Sequence, residues 1–133
     1  MDSKLINATV PFCTGVAHQK YLGAEKGLQT AIEGDCTHWY IDGSLFGEMV
    51  DDWTEARIES LQAQIAATGV KPVFHGNFKA PLGSDVETFR SAAVEYVKKE
   101  IDIASRLGAP LIIHGGCIVE PKMVLMAKKV ALE

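Results

Sequence analysis

Val70-Lys71-Pro72-Val73-Phe74-His75 and Ala109-Pro110-Leu111-Ile112-Ile113-His114 are two short β-prone runs, and each ends on a histidine. Between them, Ser84-Asp85-Val86-Glu87 has the form of a capping box. Phe89, Ala93, Tyr96, Val97, Ile101, Ala104 and Leu107 then recur at helical spacing, which predicts a long amphipathic helix with that face buried. Glu95 and Lys99 add an i,i+4 pair on the opposite face, and Gly108 stops the helix. A strand, a helix and a strand in this order form a crossover unit, and a crossover makes the two strands parallel. Pro72 removes one ladder donor, which is a mild objection near the start of a strand.

The same alternation continues outward. Upstream, His38-Trp39-Tyr40-Ile41 ends in Asp42-Gly43, and Leu5-Ile6-Asn7-Ala8-Thr9-Val10 is closed by Pro11. Helices are expected from about Lys20 to Glu33, with Leu28, Ala31 and Ile32 on one face and Gly34 after the end, and from near Trp53 to Gly69. Asp52 is the expected cap of the second, with Glu55 reaching back and Ile58, Leu61 and Ile65 as its apolar face. A last helix is expected after Pro121. Strands near residues 5–10, 37–42, 70–75 and 109–114 give an α/β chain of four βα units in a single domain, 1–133. Strand starts roughly every 32–39 residues match the unit size of a (β/α)8 barrel of about 250 residues, so the pattern reads as half of such a barrel, with parallel strands.

Composition bounds the function. The 133 residues are 47% hydrophobic and 23% charged, close to the average of globular domains, which excludes disordered and collagen-like classes. No apolar run approaches the roughly 20 residues of a membrane helix, so no membrane partner is expected. Seventeen acidic residues against thirteen basic give a net charge of −4, which offers no general support for nucleic-acid binding. Cys13, Cys36 and Cys117 are odd in number and form no C-x-x-C pair, the pattern of thiols in a reducing, cytoplasmic setting.

Parallel α/β folds bind ligands beyond the C-terminal ends of their strands. The residues just past the strand ends are Phe12 with Cys13, Asp42, His75 with Asn77 and Lys79, and His114 with Cys117 and Glu120. Histidines ending two sequential strands stand side by side, and neutral imidazoles so placed serve equally as metal ligands and as general bases. Plainer roles compete. Asp42 precedes a glycine and suits a turn, Lys79 suits a solvated surface, and Gly115-Gly116 suits a chain leaving a strand. His18 and His38 lack the strand-end placement and read as structural, and nothing local lowers the pKa of Cys117.

Lys71-Pro72-Val73-Phe74-His75-Gly76-Asn77-Phe78, the long helix, and Leu111-Ile112-Ile113-His114-Gly115-Gly116 resemble the third and fourth strands of the xylose-isomerase-like TIM barrels. That superfamily includes sugar phosphate isomerases and epimerases, inosose dehydratases and the AP endonuclease family 2 enzymes. Val10-Pro11-Phe12 and Trp39-Tyr40-Ile41-Asp42 fit its first two units more loosely. The resemblance implies a divalent metal, zinc or manganese, at the barrel mouth, with His75 and His114 as its ligands by likeness to the endonuclease branch, whereas in the isomerases and epimerases the equivalent histidine more often contacts substrate. Phe12, Asp42, Asn77, Lys79 and Glu120 would then face a sugar or sugar-phosphate substrate. It further implies metal-assisted proton transfer on a sugar or cyclitol once the barrel is completed by its other half or a partner. The alternatives are a non-catalytic half-barrel that self-associates as a homo-oligomer and, third, an AP endonuclease-like DNA repair enzyme, which the acidic balance disfavours.

Overall fold

The computed structural model describes residues 23–115. The expected strand at 5–10, the start of the first helix at Lys20, the last helix after Pro121, and residues Phe12, Cys13, His18, Gly116, Cys117 and Glu120 lie outside them. Within them the order is α1 (Ala24–Glu33), β1 (His38–Asp42), a short 3-10 turn (Val50–Asp52), α2 (Glu55–Thr68), β2 (Lys71–His75), α3 (Glu87–Leu107) and β3 (Leu111–Ile112). The three strands form one parallel sheet in the order β1-β2-β3, so β2 is central among the described strands. The register pairs Tyr40 with Val73, Asp42 with His75, and His75 with Ile112. The run expected as a strand at 109–114 pairs only over Leu111–Ile112, and His114 stands two residues beyond.

Period-two alternation sorts the strand residues. Trp39, Ile41, Phe74 and Leu111 face the helices and join Leu28, Ala31, Ile58, Leu61, Ile103, Ala104 and Leu107 in one apolar core. Tyr40, Asp42, Val73, His75 and Ile112 lie on the other face and are half-buried or exposed. Pro72 is tolerated in the central strand because β3 pairing begins only at Phe74, whose N–H bonds to the Pro110 carbonyl at 2.9 Å. The donor that proline lacks would point past the start of β3.

Several local expectations are corrected. Thr54, not Asp52, caps α2: its side chain accepts the Arg57 N–H at 3.3 Å, while Asp52 accepts the Met49 N–H and closes the 3-10 turn. The α3 capping box does not form. Val86 is the N-cap without a side-chain bond, Ser84 Oγ accepts the Val86 N–H, and Glu87 instead meets Arg90 and Ser91. Glu95 pairs with Lys98, and Lys99 reaches towards Asp51. Gly34 has φ −90°, so the left-handed residue after α1 is Asp35, at φ 56°. Ile32, on the expected inner face of α1, is exposed. On α3, Phe89 and Ile101 are 59% and 49% exposed, and the buried stripe runs Ala93, Val97, Glu100, Ala104, Leu107. The spacing is helical as expected, but the stripe is rotated so that a glutamate faces inward. No helix among the described residues is long and apolar enough to cross a membrane.

Candidate functional site

The C-terminal end of the sheet gathers three of the residues singled out in the sequence. Asp42 ends β1, His75 ends β2, and His114 follows β3. The Nε2 atoms of His75 and His114 are 2.6 Å apart, and the rings meet edge-on at 4.6 Å between centroids. At that spacing one nitrogen donates and the other accepts, so a single proton lies between the two Nε2 atoms. Parallel pairing creates this meeting. It sets Asp42, His75 and Ile112 in one row on one face, and His114 lies two residues further along the same side.

Asp42 works twice. Its Oδ1 accepts the Ser44 N–H at 2.9 Å, which is the turn role expected from Asp42-Gly43. The same oxygen lies 3.6 Å from His75 Nδ1, too long for a hydrogen bond but close enough to act electrostatically. His75 Nδ1 is buried and has no hydrogen-bond partner among the described residues. The carboxylate favours a proton on Nδ1, which leaves the Nε2 lone pair aimed into the site. Burial is the leading cause that pushes the His75 pKa below the usual histidine value; His114 adds to it and Asp42 opposes it. The neutral imidazole that ligation or base chemistry requires is therefore favoured. Tyr40, with its ring 5.2 Å from His75, is pushed up to about 12 by burial and by Asp42, so its hydroxyl stays protonated.

The loop after β2 carries the remaining candidates. Asn77 turns inward: its N–H bonds to Glu100 Oε1 at 2.6 Å and its amide nitrogen donates to the Tyr96 hydroxyl at 3.2 Å. Lys79 is not simply solvated, because its ammonium donates to the Ser44 carbonyl at 3.2 Å and stands 5.8 Å from the Phe78 ring. Phe78 in turn lies edge-on to His114, 6.4 Å between centroids. Sequence reasoning missed Tyr40, Ser44, Phe78 and Glu100. For Glu100 a signal existed: a glutamate on the line of small and apolar residues Ala93, Val97, Ala104 and Leu107.

The donor set can be tested against a metal. Two imidazoles on one tetrahedral zinc, each at 2.0–2.1 Å, place their nitrogens about 3.3 Å apart, so the pair would open by about 0.7 Å to admit one. Two converging imidazole nitrogens, one on a ring whose far nitrogen faces the Asp42 carboxylate, fit as part of such a set. Among the described residues no third His, Cys, Asp or Glu completes a three-ligand group.

Comparison with known proteins agrees with this architecture. Residues 30–124 match the family described as xylose isomerase-like TIM barrel. No curated protein matches. A solved structure, "The crystal structure of AsfvAP:AG", superposes with a TM-score of 0.53 at 16% identity, over 80% of this chain and 35% of that one. That likeness concerns the fold, and this chain spans about a third of that protein's length. A parallel sheet with helices on one face, histidines at its C-terminal end and a family match over most of its length place this chain in the xylose isomerase-like TIM barrel family.

Proposed function

We propose that this chain forms the strand-end face of a sugar isomerase or epimerase-like barrel, with His75 and His114 holding a divalent zinc or manganese ion beside a sugar or sugar phosphate. The observation that carries the reading is the convergence of the two Nε2 atoms, 2.6 Å apart, at the strand end where barrels of this architecture bind ligands. A metal bound there supplies Lewis-acid polarisation of a carbonyl or hydroxyl. The other roles fall to the chain's own side chains. Asp42, 3.6 Å from His75 Nδ1, favours a proton there by its charge, and the Tyr40 hydroxyl, protonated at neutral pH, is a donor to a substrate oxygen. Lys79 offers positive charge for a phosphate, and the exposed Phe78 ring offers an apolar face for a sugar ring. The carboxylate that moves the proton is assigned to later strands of a complete barrel, supplied in the same protein or by a partner.

Paramagnetic relaxation tests this in the chain as it is. With Mn2+ and a set of sugar phosphates, selective broadening of sugar protons is expected with the wild-type chain and not with the His75→Ala/His114→Ala variant. Equal broadening in both sinks the reading.

One observation favours a second reading, a non-catalytic module that self-associates. Ile112 and Ile113, on and beside the last described strand, are exposed, and an apolar strand edge invites pairing. Light scattering checks it: a monomer at high concentration contradicts it, and a metal-independent dimer supports it over the enzyme reading.

A further inference from the structure

Glu100 is 1% exposed, yet among the described residues no cation pairs with it. A buried carboxylate without a cation costs several kcal/mol unless hydrogen bonds replace its water. Its Oε1 accepts the Asn77 N–H at 2.6 Å, a short charge-assisted bond. Two glycines make room for it. A Cβ on Gly43 would stand 3.1 Å from Oε1 and 3.1 Å from the His75 carbonyl oxygen. A Cβ on Gly76 would stand 2.8 Å from Oε2 and 3.1 Å from the Ile112 carbonyl oxygen. The same glycines bind the strand ends together, Gly43 N–H to the His75 carbonyl at 2.8 Å and Gly76 N–H to the Ile112 carbonyl at 2.9 Å. The carboxylate thus sits on the helix side of the sheet, where the ends of β1, β2 and β3 meet, opposite the face that carries His75.

We propose that Glu100 is the positioning residue of the His75–His114 pair. By holding the Asn77 N–H it fixes the turn that follows β2, and through that turn the direction in which the His75 ring leaves the strand. A leucine would fill the α3 stripe as well, and it would leave the Asn77 donor unpaired and the turn unpinned. The proposal rests on the reading of the histidine pair as the functional centre. Its test measures ring geometry in metal-free protein, so failure here and failure of the metal reading are separate events.

Imidazole 15N NMR of the EDTA-treated chain reports whether the two rings are coupled. In wild type, His114→Ala is expected to shift the His75 Nε2 resonance, because it removes the bond between the rings. In Glu100→Ala, with a folded amide spectrum, His75 Nε2 is expected to sit where His114→Ala places it, and Co2+ affinity to fall about 10-fold or more, the scale of an outer-shell loss. Glu100→Gln keeps an acceptor oxygen for Asn77 and is expected to retain the wild-type resonance. Should Glu100→Ala not fold, Glu100→Leu takes its place, since it fills the α3 stripe and still removes the acceptor of the Asn77 N–H. A wild-type His75 resonance in folded Glu100→Ala or Glu100→Leu overturns the proposal, as does a Gln variant uncoupled as fully as the Ala variant.

Discussion

Glu48 and Glu100 are both almost wholly buried, 3% and 1% exposed, and in both burial pushes the carboxyl pKa up from the usual range. Their surroundings differ. Glu48 meets the Arg57 guanidinium at 2.7 Å and the Ala24 N–H at 3.0 Å, while Arg57 also binds Glu25 and lies 4.2 Å over the Trp53 ring. That cluster ties the loop after β1 to the starts of α1 and α2. Glu100 has a backbone N–H and two glycines instead, and it lies behind the histidine pair. A cation compensates the carboxylate that secures packing. A backbone donor serves the one beneath the site, where an arginine would need volume that Gly43 and Gly76 leave only for two oxygens.

The largest expected effect breaks the Glu48 side. Arg57→Ala leaves Glu48 buried without its cation and uncovers Trp53, at a cost of about 3–5 kcal/mol in chemical denaturation. A loss no greater than that of an exposed arginine would erase the distinction between the two regions. Gly76→Ala comes next, at about 1–3 kcal/mol, because its Cβ meets Glu100 and the Ile112 carbonyl. Gly115→Ala, whose Cβ would meet nothing within 4 Å among the described residues, is the control and should change stability far less.

A smaller effect concerns pH. The Glu100 pKa is raised in the folded chain, so the native state keeps its proton to higher pH than the unfolded state. Its contribution is full below the unfolded value and is lost as pH rises through the folded value, so stability falls across that window. Glu100→Gln removes the titration. The variant should therefore gain on wild type in urea denaturation as pH rises above the ordinary glutamate value of about 4. A difference constant with pH would show that Glu100 is not desolvated. Smallest of all is the surface pair of Arg106 and Glu55, where Arg106→Ala should cost about 0–1 kcal/mol.

The part of this picture legible in the sequence was the part set by strand ends. Once alternation implied parallel strands, His75, His114 and Asp42 had to fall at one end of the sheet, and the structure places them there. Features that depend on how elements meet were not legible. Helical spacing put Glu100 in line with Ala93, Val97, Ala104 and Leu107, but its partner, the Asn77 N–H, and the exposure of Phe89 depend on how α3 meets the end of β2. Glu87 is drawn to Arg90 rather than to a cap, and Thr54 outcompetes Asp52 because the 3-10 turn has already engaged Asp52. Tyr40 was hidden for a related reason: its place beside His75 comes from the β1–β2 register, set by the whole sheet.

Metal affinity of the histidine pair tests the central claim most directly. Titration of the chelator-stripped chain with Co2+, followed by ligand-field absorption, should show one site with imidazole ligation in wild type. Affinity should drop at least about 10-fold in His75→Ala and in His114→Ala, with the amide spectrum intact. Equal affinity in wild type and both variants would contradict the account, because the converging nitrogens would then hold no metal.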